Sequence, residues 1–457
     1  MTRSLAIVAF ALALEGCRGG AEASVPPADA SAIELSVGLY PYVPRVKQFE
    51  GAIASAWAER HPDVTLSFSD AWDGGYDGPP SDLDVFVFDA INLDDFHAKG
   101  YLAPLDPGEV ADRDDFLAYA IDGVEDAQTG DYLAVPMLGC TNILFYRRGD
   151  QALADAATLS AIERELGQCV YTSQIPPDAR GLMLDMAGGT TNACMYADIV
   201  QSQDGRWPVA LPTSADELDA AAIERMRALL ATSSYHDATL DPADAYGRAA
   251  WFSEGWGRAS VGFTESMSAM SDEVRATVEF KIFPFGDDPG ARPLFYSDVI
   301  AVAASTEHRA LAVELANLMA STPVMVDSMK AVEGAPAQYL MPTRTSVFEA
   351  LASDDPIYAR MQALVRSVDP ILFNLGPDAS AWIEAMKSAI VAASRADYPC
   401  ACDRDAGVEL SGEAQASEVC PTVCAEHGGW TGQWSAYPPG GTEDWRAACG
   451  CGSCSAP

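Results

Sequence analysis

Histidine and basic residues are scarce in this chain, and their scarcity excludes several classes of function. The 457 residues include five histidines, none of which forms a pair at the spacing of metal ligands. This argues against zinc hydrolysis and against a Cys-His dyad. The 28 lysines and arginines stand against 66 acidic residues, which gives a net charge of −38. Such a surface repels phosphate backbones, so nucleic-acid binding is excluded, whereas a small cationic ligand is attracted.

Long apolar runs are absent as well, since no segment approaches the ~20 apolar residues of a membrane helix. The longest run near the N-terminus, Leu5 to Leu14, follows one arginine and has the length of a secretory signal core. We therefore predict that residues 1–23 are an export signal and that residues 24–32, which are small and proline-rich, are a linker. The protein is expected in the periplasm or outside the cell.

The end of this signal allows two interpretations. Residues 14–17 (Leu-Glu-Gly-Cys) resemble a bacterial lipobox, in which Cys17 would be lipidated and would anchor the protein to the membrane. Residues 21–23 (Ala-Glu-Ala) offer a competing cleavage site. Lipidation of Cys17 therefore stays open.

Strand-like and helical segments alternate after the linker. Strand patterns occur from Ile33, at Val64–Phe68 and at Leu83–Asp89, and helical spacing covers Val46–Arg60. Residues 150 to 260 are richer in helical patterns, and strand patterns return near residues 277–284 and 294–304. This alternation predicts an α/β architecture.

Residues 398–457 form a different kind of segment. Seven of the 11 cysteines lie here, together with eight acidic residues and two arginines. The spacing of the cysteines allows a zinc site, but export favours disulfides. Seven is an odd number, so one tail cysteine is left over. Within the main fold we expect Cys169 and Cys194 to pair. The partner of the tail is not specified by its sequence.

The serine-hydrolase elbow, the P-loop and the GxGxxG fingerprint are absent from the sequence. Two residues outside the tail, Cys140 and Glu265, remain as candidates for a chemical role. Cys140 lies between two strand-like runs, where it is either a buried small residue or a nucleophile. Glu265 follows a strand pattern at 259–261, so it is expected at a strand end, where ligands of α/β proteins bind.

Seven motifs include or surround these residues: 39–44 (LYPYVP), 82–89 (DLDVFVFD), 140–146 (CTNILFY), 186–191 (MAGGTT), 244–252 (DAYGRAAWF), 265–267 (ESM) and 294–298 (LFYSD). In sequence and in order they resemble the motifs of the thiaminase I (thiamine pyridinylase) family. The resemblance covers residues 35 to 396.

The resemblance implies a two-lobed fold of the type II periplasmic-binding-protein kind, with a ligand cleft between the lobes. The first lobe is expected to comprise residues 33–136 and 282–330, and the second residues 137–281 and 331–397. The cysteine-rich tail, 398–457, lies outside the resemblance. A monomer is expected.

The resemblance also implies roles for individual residues. Cys140 would be the nucleophile and Glu265 its general base. The residues that hold the pyrimidine of the substrate would be Tyr40, Tyr42, Tyr76, Asp89, Tyr246, Phe263, Tyr296 and Asp298. Position 263 departs from the family, where a tyrosine is typical, so Phe263 keeps the ring and loses a hydroxyl.

The implied reaction transfers the pyrimidinylmethyl group of thiamine to an amine, a thiol or water through a covalent cysteine adduct, and it releases the thiazole. No cofactor and no metal is needed, because a thiol with a positioned base supplies the nucleophile. An alternative is a non-catalytic thiamine- or pyrimidine-binding lipoprotein that feeds a transporter. A second alternative is an interaction protein that works through its tail.

Overall fold

The computed structural model describes residues 33–76, 81–166, 181–186, 189–235, 245–395, 404–436 and 446–451. The predicted export signal, the linker, Cys17 and Cys169 lie outside these residues. Among the described helices, none is both long and apolar enough to cross a bilayer.

The described strands, numbered in chain order, are β1 Ile33–Gly38, β2 Val64–Phe68, β3 Val85–Asp89, β4 Val135–Cys140, β5 Ile143–Tyr146, β6 Leu182–Met183, β7 Ser233–Tyr235, β8 Ala259–Gly262, β9 Glu279–Ile282, β10 Leu294–Val302, β11 Met341–Pro342, β12 Ile371–Leu372, β13 Arg404–Asp405, β14 Trp430–Ser435 and β15 Ala448–Cys451.

The described α-helices are α1 Val46–Arg60, α2 Leu93–Ala98, α3 Ala118–Gly123, α4 Gln151–Asp155, α5 Leu159–Leu166, α6 Thr190–Asp204, α7 Ala220–Thr232, α8 Ala245–Glu254, α9 Asp272–Arg275, α10 Arg309–Met319, α11 Thr322–Met329, α12 Thr345–Ala352, α13 Pro356–Arg366, α14 Ala379–Arg395 and α15 Glu413–Val423.

Two mixed sheets form the main fold, which confirms the predicted α/β class. The first sheet has the order β11-β4-β10-β3-β1-β2, with β12 paired to β10, and the second has the order β7-β6-β8-β5-β9. Strand β3 (VFVFD) is buried along almost its whole length, as its unbroken apolar run predicts for a central strand. The sheets, each with its packed helices, are the two lobes.

The link between β4 and β5 is a short connection between the two lobes. Cys140 is the last residue of β4 in the first sheet, and Ile143 opens β5 in the second sheet, so two residues connect them. Thr141 is held there because its hydroxyl donates to the carbonyl of Leu294 over 2.9 Å. The nucleophile predicted from the sequence therefore lies at the junction.

The predicted division into lobes differs from the observed one at two places. Strand β4 runs to Cys140 within the first sheet, beyond the predicted boundary at residue 136. Strand β11 pairs with β4 there, and helices α12 and α13 share the core of the first lobe, although residues 331–397 were predicted in the second. Helix α14 packs on α6 and α7 of the second lobe.

The tail is a small module with its own core, built from α15 and the sheet β13-β15-β14. Disulfides Cys420–Cys449 and Cys424–Cys451 cross-link it, in agreement with the disulfide interpretation for these four cysteines.

The module is docked on the second lobe through directed polar contacts. The Trp434 indole donates to the carbonyl of Arg164 over 3.1 Å, and Arg258 donates to the carbonyl of Ser411 over 3.0 Å. The same arginine is paired with Asp150 over 2.7 Å. The position of the tail is thus fixed by the main fold.

Candidate active site

A cavity of about 620 Å³ lies where the two lobes meet. The ten residues predicted for catalysis and substrate binding all line it: Tyr40, Tyr42, Tyr76, Asp89, Cys140, Tyr246, Phe263, Glu265, Tyr296 and Asp298. They lie at or after the ends of strands, within strand β10 and in helix α8, so segments up to 258 residues apart meet at one place.

Two carboxyl groups lie side by side on the first-lobe wall of this cavity. Asp89 ends β3 and is the register partner of Asp298 in β10. The Asp89 carboxylate accepts hydrogen bonds from the backbone N–H of Ile91 at 3.0 Å and from the Tyr76 hydroxyl at 3.1 Å. Burial nevertheless raises the pKa of Asp89 from 3.8 to about 6. Burial, and next the charge of Asp89, raise the pKa of Asp298 well above its usual value. This pair can therefore retain a proton near neutral pH.

Three tyrosines extend this wall. The hydroxyls of Tyr40 and Tyr76 are 3.1 Å apart, and the ring of Tyr42 lies 5.4 Å from that of Tyr40 and 6.0 Å from that of Tyr76. Tyr42 is 58% exposed, so it is the outermost of the three. Burial raises the pKa of Tyr40 and of Tyr76, which keeps both hydroxyls neutral. The cluster offers ring faces and hydroxyl donors to a flat, cationic heterocycle.

Cys140 lies at the end of β4, opposite its register partner Tyr296. Its thiol is free and partly exposed to the cavity. A Cβ at the preceding residue, Gly139, would overlap the Tyr119 hydroxyl, so a side chain there would have to displace Tyr119. Burial, and next the charge of Glu265, raise the pKa of the Cys140 thiol well above its usual value. The thiol therefore keeps its proton at neutral pH unless a base removes it.

Glu265 supplies a carboxyl group from the opposite lobe. It follows β8 in the short 3-10 helix Thr264–Ala269, which agrees with the strand-end position predicted for it. It is 8% exposed, and within the described part of the chain its Oε2 atom has no hydrogen-bond partner. Burial raises its pKa to about 7. A carboxylate with this pKa can accept a proton at neutral pH and return it.

Aromatic rings close the cavity on the side of Glu265. Phe263 meets Tyr296 edge to face with 6.3 Å between ring centroids, and Tyr296 packs on Phe373 at 4.8 Å. Phe263 thus keeps the packing role of a ring at this position. Tyr246 lines the cavity from helix α8.

Three further cavity residues were not among the predicted site residues. Cys194 of α6 is a free, buried thiol in the cavity wall. The prediction that Cys194 forms a disulfide with Cys169 is therefore wrong, because helix α6 turns the Cys194 thiol towards the cavity. Asn142 and Arg248 also line the cavity, and Asn142 could have been found, because it lies in the quoted motif two residues after Cys140. Within the described residues, no group of three or more His, Cys, Asp and Glu side chains forms a metal site.

Comparison with known proteins identifies relatives of this chain. A sequence profile described as the thiaminase-1 domain matches residues 141–286. Thiaminase-1 of Paenibacillus thiaminolyticus is 37% identical over 377 residues, which are 81% of this chain and 90% of that protein. The structure of Clostridium botulinum thiaminase I in complex with thiamin is 33% identical, with a TM-score of 0.73, and the match covers 79% of this chain and 100% of that one.

More distant structures are similar in fold alone. Maltose-bound MalE3 of T. maritima is 17% identical, has a TM-score of 0.56, and is matched over 80% of this chain and 98% of its own. The predicted two-lobed binding-protein fold is thereby confirmed. The tail has a separate similarity, since a profile described as a mannan-binding protein matches residues 413–451.

Proposed function

The chain belongs to the thiaminase I family, as its motifs predict, and we propose that Cys140 and Glu265 perform the thiaminase reaction in the cavity between the lobes. The predicted enzyme class, thiamine pyridinylase, is that of its relatives. The alternative of a non-catalytic binding protein is set aside on this ground. The observation that carries the proposal is the placement of a buried carboxylate and a free thiol in one cavity, on opposite lobes.

The first half of the reaction uses both lobes. Glu265 takes the proton of Cys140, and the thiolate bonds to the electron-poor ring carbon beside the methylene of thiamine. The electron pair displaced from that carbon moves onto the ring nitrogens, where Asp89 or Asp298 can donate a hydrogen bond when protonated. The bond between methylene and thiazolium then breaks, and the thiazole leaves as a neutral molecule with the bonding electrons.

Glu265 releases its proton to solvent before the second half. An acceptor nucleophile then bonds to the methylene carbon, and the proton it loses goes to Glu265. The electron pair that returns to the ring expels the Cys140 thiolate, which Glu265 reprotonates. The tyrosines of the first-lobe wall are suited to the flat pyrimidine, and their faces suit the cationic thiazolium. Binding of thiamine itself is supported by the thiamin complex of the Clostridium botulinum relative.

The test is a comparison of the wild-type enzyme with Cys140→Ser. Both are incubated with thiamine and aniline, and the thiazole and pyrimidine products are followed by mass. The serine variant should bind thiamine in a cavity of nearly the same shape and should not turn it over, because a hydroxyl is a far poorer nucleophile. Substantial turnover by the variant, or wild-type turnover without an adduct on Cys140, contradicts the assignment.

We also propose that the protein is exported. The disulfides of the tail and the fold shared with solute-binding proteins support this location. Anchoring by a lipid on Cys17 is tested by membrane fractionation of Cys17→Ala. Identical fractions for both forms, each beginning at Ser24, would exclude the anchor.

A second candidate function concerns the tail, which we propose binds a mannan-like glycan. The matched residues 413–451 include α15, β14 and β15, and thus both described disulfides. The full chain should be retained on immobilised mannan and eluted by soluble mannan, while the double variant Cys420→Ser, Cys449→Ser should pass through. Passage of the wild-type chain at low salt would refute this function.

A further inference from the structure

Asn142 occupies a place in the cavity to which the mechanism above gives no part. It lies between β4 and β5, two residues after Cys140 and one before the second sheet begins. Its backbone is fixed, because its carbonyl accepts a hydrogen bond from the N–H of Phe283 over 2.8 Å. The side chain lines the cavity, and the residue is 9% exposed. The residue is thus mostly buried, and its backbone is held two residues from the nucleophile.

No group in the described part of the chain bonds this amide. Among the residues that the structure describes, the hydrogen bonds of Asn142 are those of its backbone, although its side chain has two donor hydrogens and an acceptor oxygen. Neither amide atom is among the fully buried atoms that lack a partner, so the amide keeps contact with open space, where a ligand can take up its hydrogen bonds. What surface the amide retains opens into the cavity that holds Cys140 and Glu265.

The position of Asn142 indicates which part of the reaction it serves. Ile143 pairs with Gly262 in the second sheet, so Asn142 and Phe263 are the next positions outward from this pair. Glu265 follows two residues later. The carboxyl pair and the tyrosine cluster lie on the opposite, first-lobe wall. Asn142 is therefore on the same side of the cavity as Glu265. With the pyrimidine against the first-lobe wall, this is the side where the thiazole departs and the acceptor enters.

Phe263 strengthens this argument, because it has no hydroxyl at the corner beside Asn142. Aromatic carbon cannot hold a polar nucleophile by a hydrogen bond. At this corner the amide of Asn142 is a neutral polar group that can orient an entering molecule, and Glu265 is a group that can take its proton.

We propose that Asn142 binds the acceptor nucleophile, a deepening of the proposed function on which it rests. The Asn142 Oδ1 atom accepts a hydrogen bond from one N–H of a primary amine, which points the nitrogen lone pair at the methylene carbon. As the new C–N bond forms, the nitrogen becomes positively charged and gives its other proton to Glu265. An acceptor without N–H, such as pyridine, bonds through its ring lone pair, yields a pyridinium product and uses neither step.

This difference between acceptors provides the test. The variants are Asn142→Ala, which removes the amide, and Asn142→Leu, which removes it but keeps most of the side-chain volume. The matched control is Asn374→Ala, because the Asn374 side chain accepts a hydrogen bond in a turn outside the cavity. Each protein is measured for the single-turnover release of thiazole, and for kcat/KM with aniline and with pyridine as the acceptor.

We expect thiazole release to stay within about twofold of wild type, because the first half-reaction does not use the amide. The kcat/KM for aniline should fall about tenfold, as for loss of one hydrogen bond, while that for pyridine stays within twofold. Equal losses for both acceptors, a loss in thiazole release, or no loss with aniline would overturn the proposal. Failure of the proposed function is distinguishable, since the wild-type enzyme would then form no Cys140 adduct.

Discussion

Replacement of Glu265 by glutamine separates the chemistry of this carboxyl group from its shape. Glu265→Gln keeps the size of a side chain that is 8% exposed, but it removes the base. Because the pKa of Cys140 lies well above its usual value, few thiols ionise unaided at pH 7.5. Proton transfer by a positioned side chain contributes about 10²–10⁴ in rate. We expect single-turnover capture of the pyrimidine to fall by this factor, whereas thiamine affinity changes little.

The pH dependence of the two proteins should differ in form. Glu265 has a pKa of about 7, and a base acts in its deprotonated form. The wild-type capture rate should therefore rise through pH 7 and level off above it. The glutamine variant lacks this step. Its rate should rise about tenfold per pH unit between pH 8 and pH 10, because the thiolate fraction grows in that proportion below the thiol pKa.

As pH rises, the stability of the wild-type fold should change in the direction opposite to its capture rate. The pKa of Glu265 rises from 4.5 to about 7 on folding, so the folded state binds its proton more tightly than the unfolded state does. Stability consequently falls as pH rises from 4.5 to 7, and the loss persists above pH 7. The neutral glutamine removes this cost, and at pH 8 the variant should be as stable as wild type or more stable, by up to about 3 kcal/mol.

The assay is rapid-quench measurement of thiazole release at pH 6 to 10, with thermal melts of both proteins at pH 5 and pH 8. A variant that captures pyrimidine within threefold of wild type at pH 7.5 shows that Glu265 is not the base. A variant that melts earlier and does not recover at high pH shows a structural role instead.

Two further predictions concern the first-lobe wall and the tail. Asp89→Asn should stabilise the folded protein above pH 6 by up to about 3 kcal/mol. The pKa of Asp89 rises from 3.8 to about 6 on folding, so the folded state with an ionised Asp89 is less stable than the one with a protonated Asp89. Denaturant titration at pH 5 and pH 8 measures the free energy of unfolding, and an equal effect at both pH values would contradict the prediction. Cys420→Ser with Cys449→Ser should destabilise the tail by about 2–4 kcal/mol and leave thiamine turnover within twofold, since the tail has its own core. Limited proteolysis and turnover assays test both parts, and a matching loss of activity would refute the separation.

Local patterns in the sequence predict the local elements of this fold well. The helical spacing over Val46–Arg60 matches the bounds of α1, and the apolar run before Asp89 contains β3. The first pattern reflects one buried face of a helix and the second a strand buried on both faces, and both are local information that hydrophobic patterning carries. The resemblance to the family then supplied the roles of Cys140 and Glu265, which periodicity does not contain.

Contacts between distant segments were beyond such reasoning. The pairing of Asp89 with Asp298 depends on the register of two antiparallel strands far apart in the chain. The orientation of Cys194 was also hidden, because residues 192–199 are buried on every side. A helix of this kind has no apolar stripe that distinguishes the face towards the cavity. The pairing of β11 with β4 was hidden for a related reason, since it joins two strands that are far apart in the chain.

The distribution of Cys140 and Glu265 over two sheets has a consequence for the thiol between turnovers. Proton transfer needs the two groups within about 3 Å or joined by one water, so any separation of the lobes disconnects the sulfur from its base. A thiol that retains its proton is also the form that oxidants and alkylating agents attack slowly. Wherever the lobes stand apart, the sulfur therefore keeps its inert, protonated form, which would protect it in the oxidising compartment proposed for this protein.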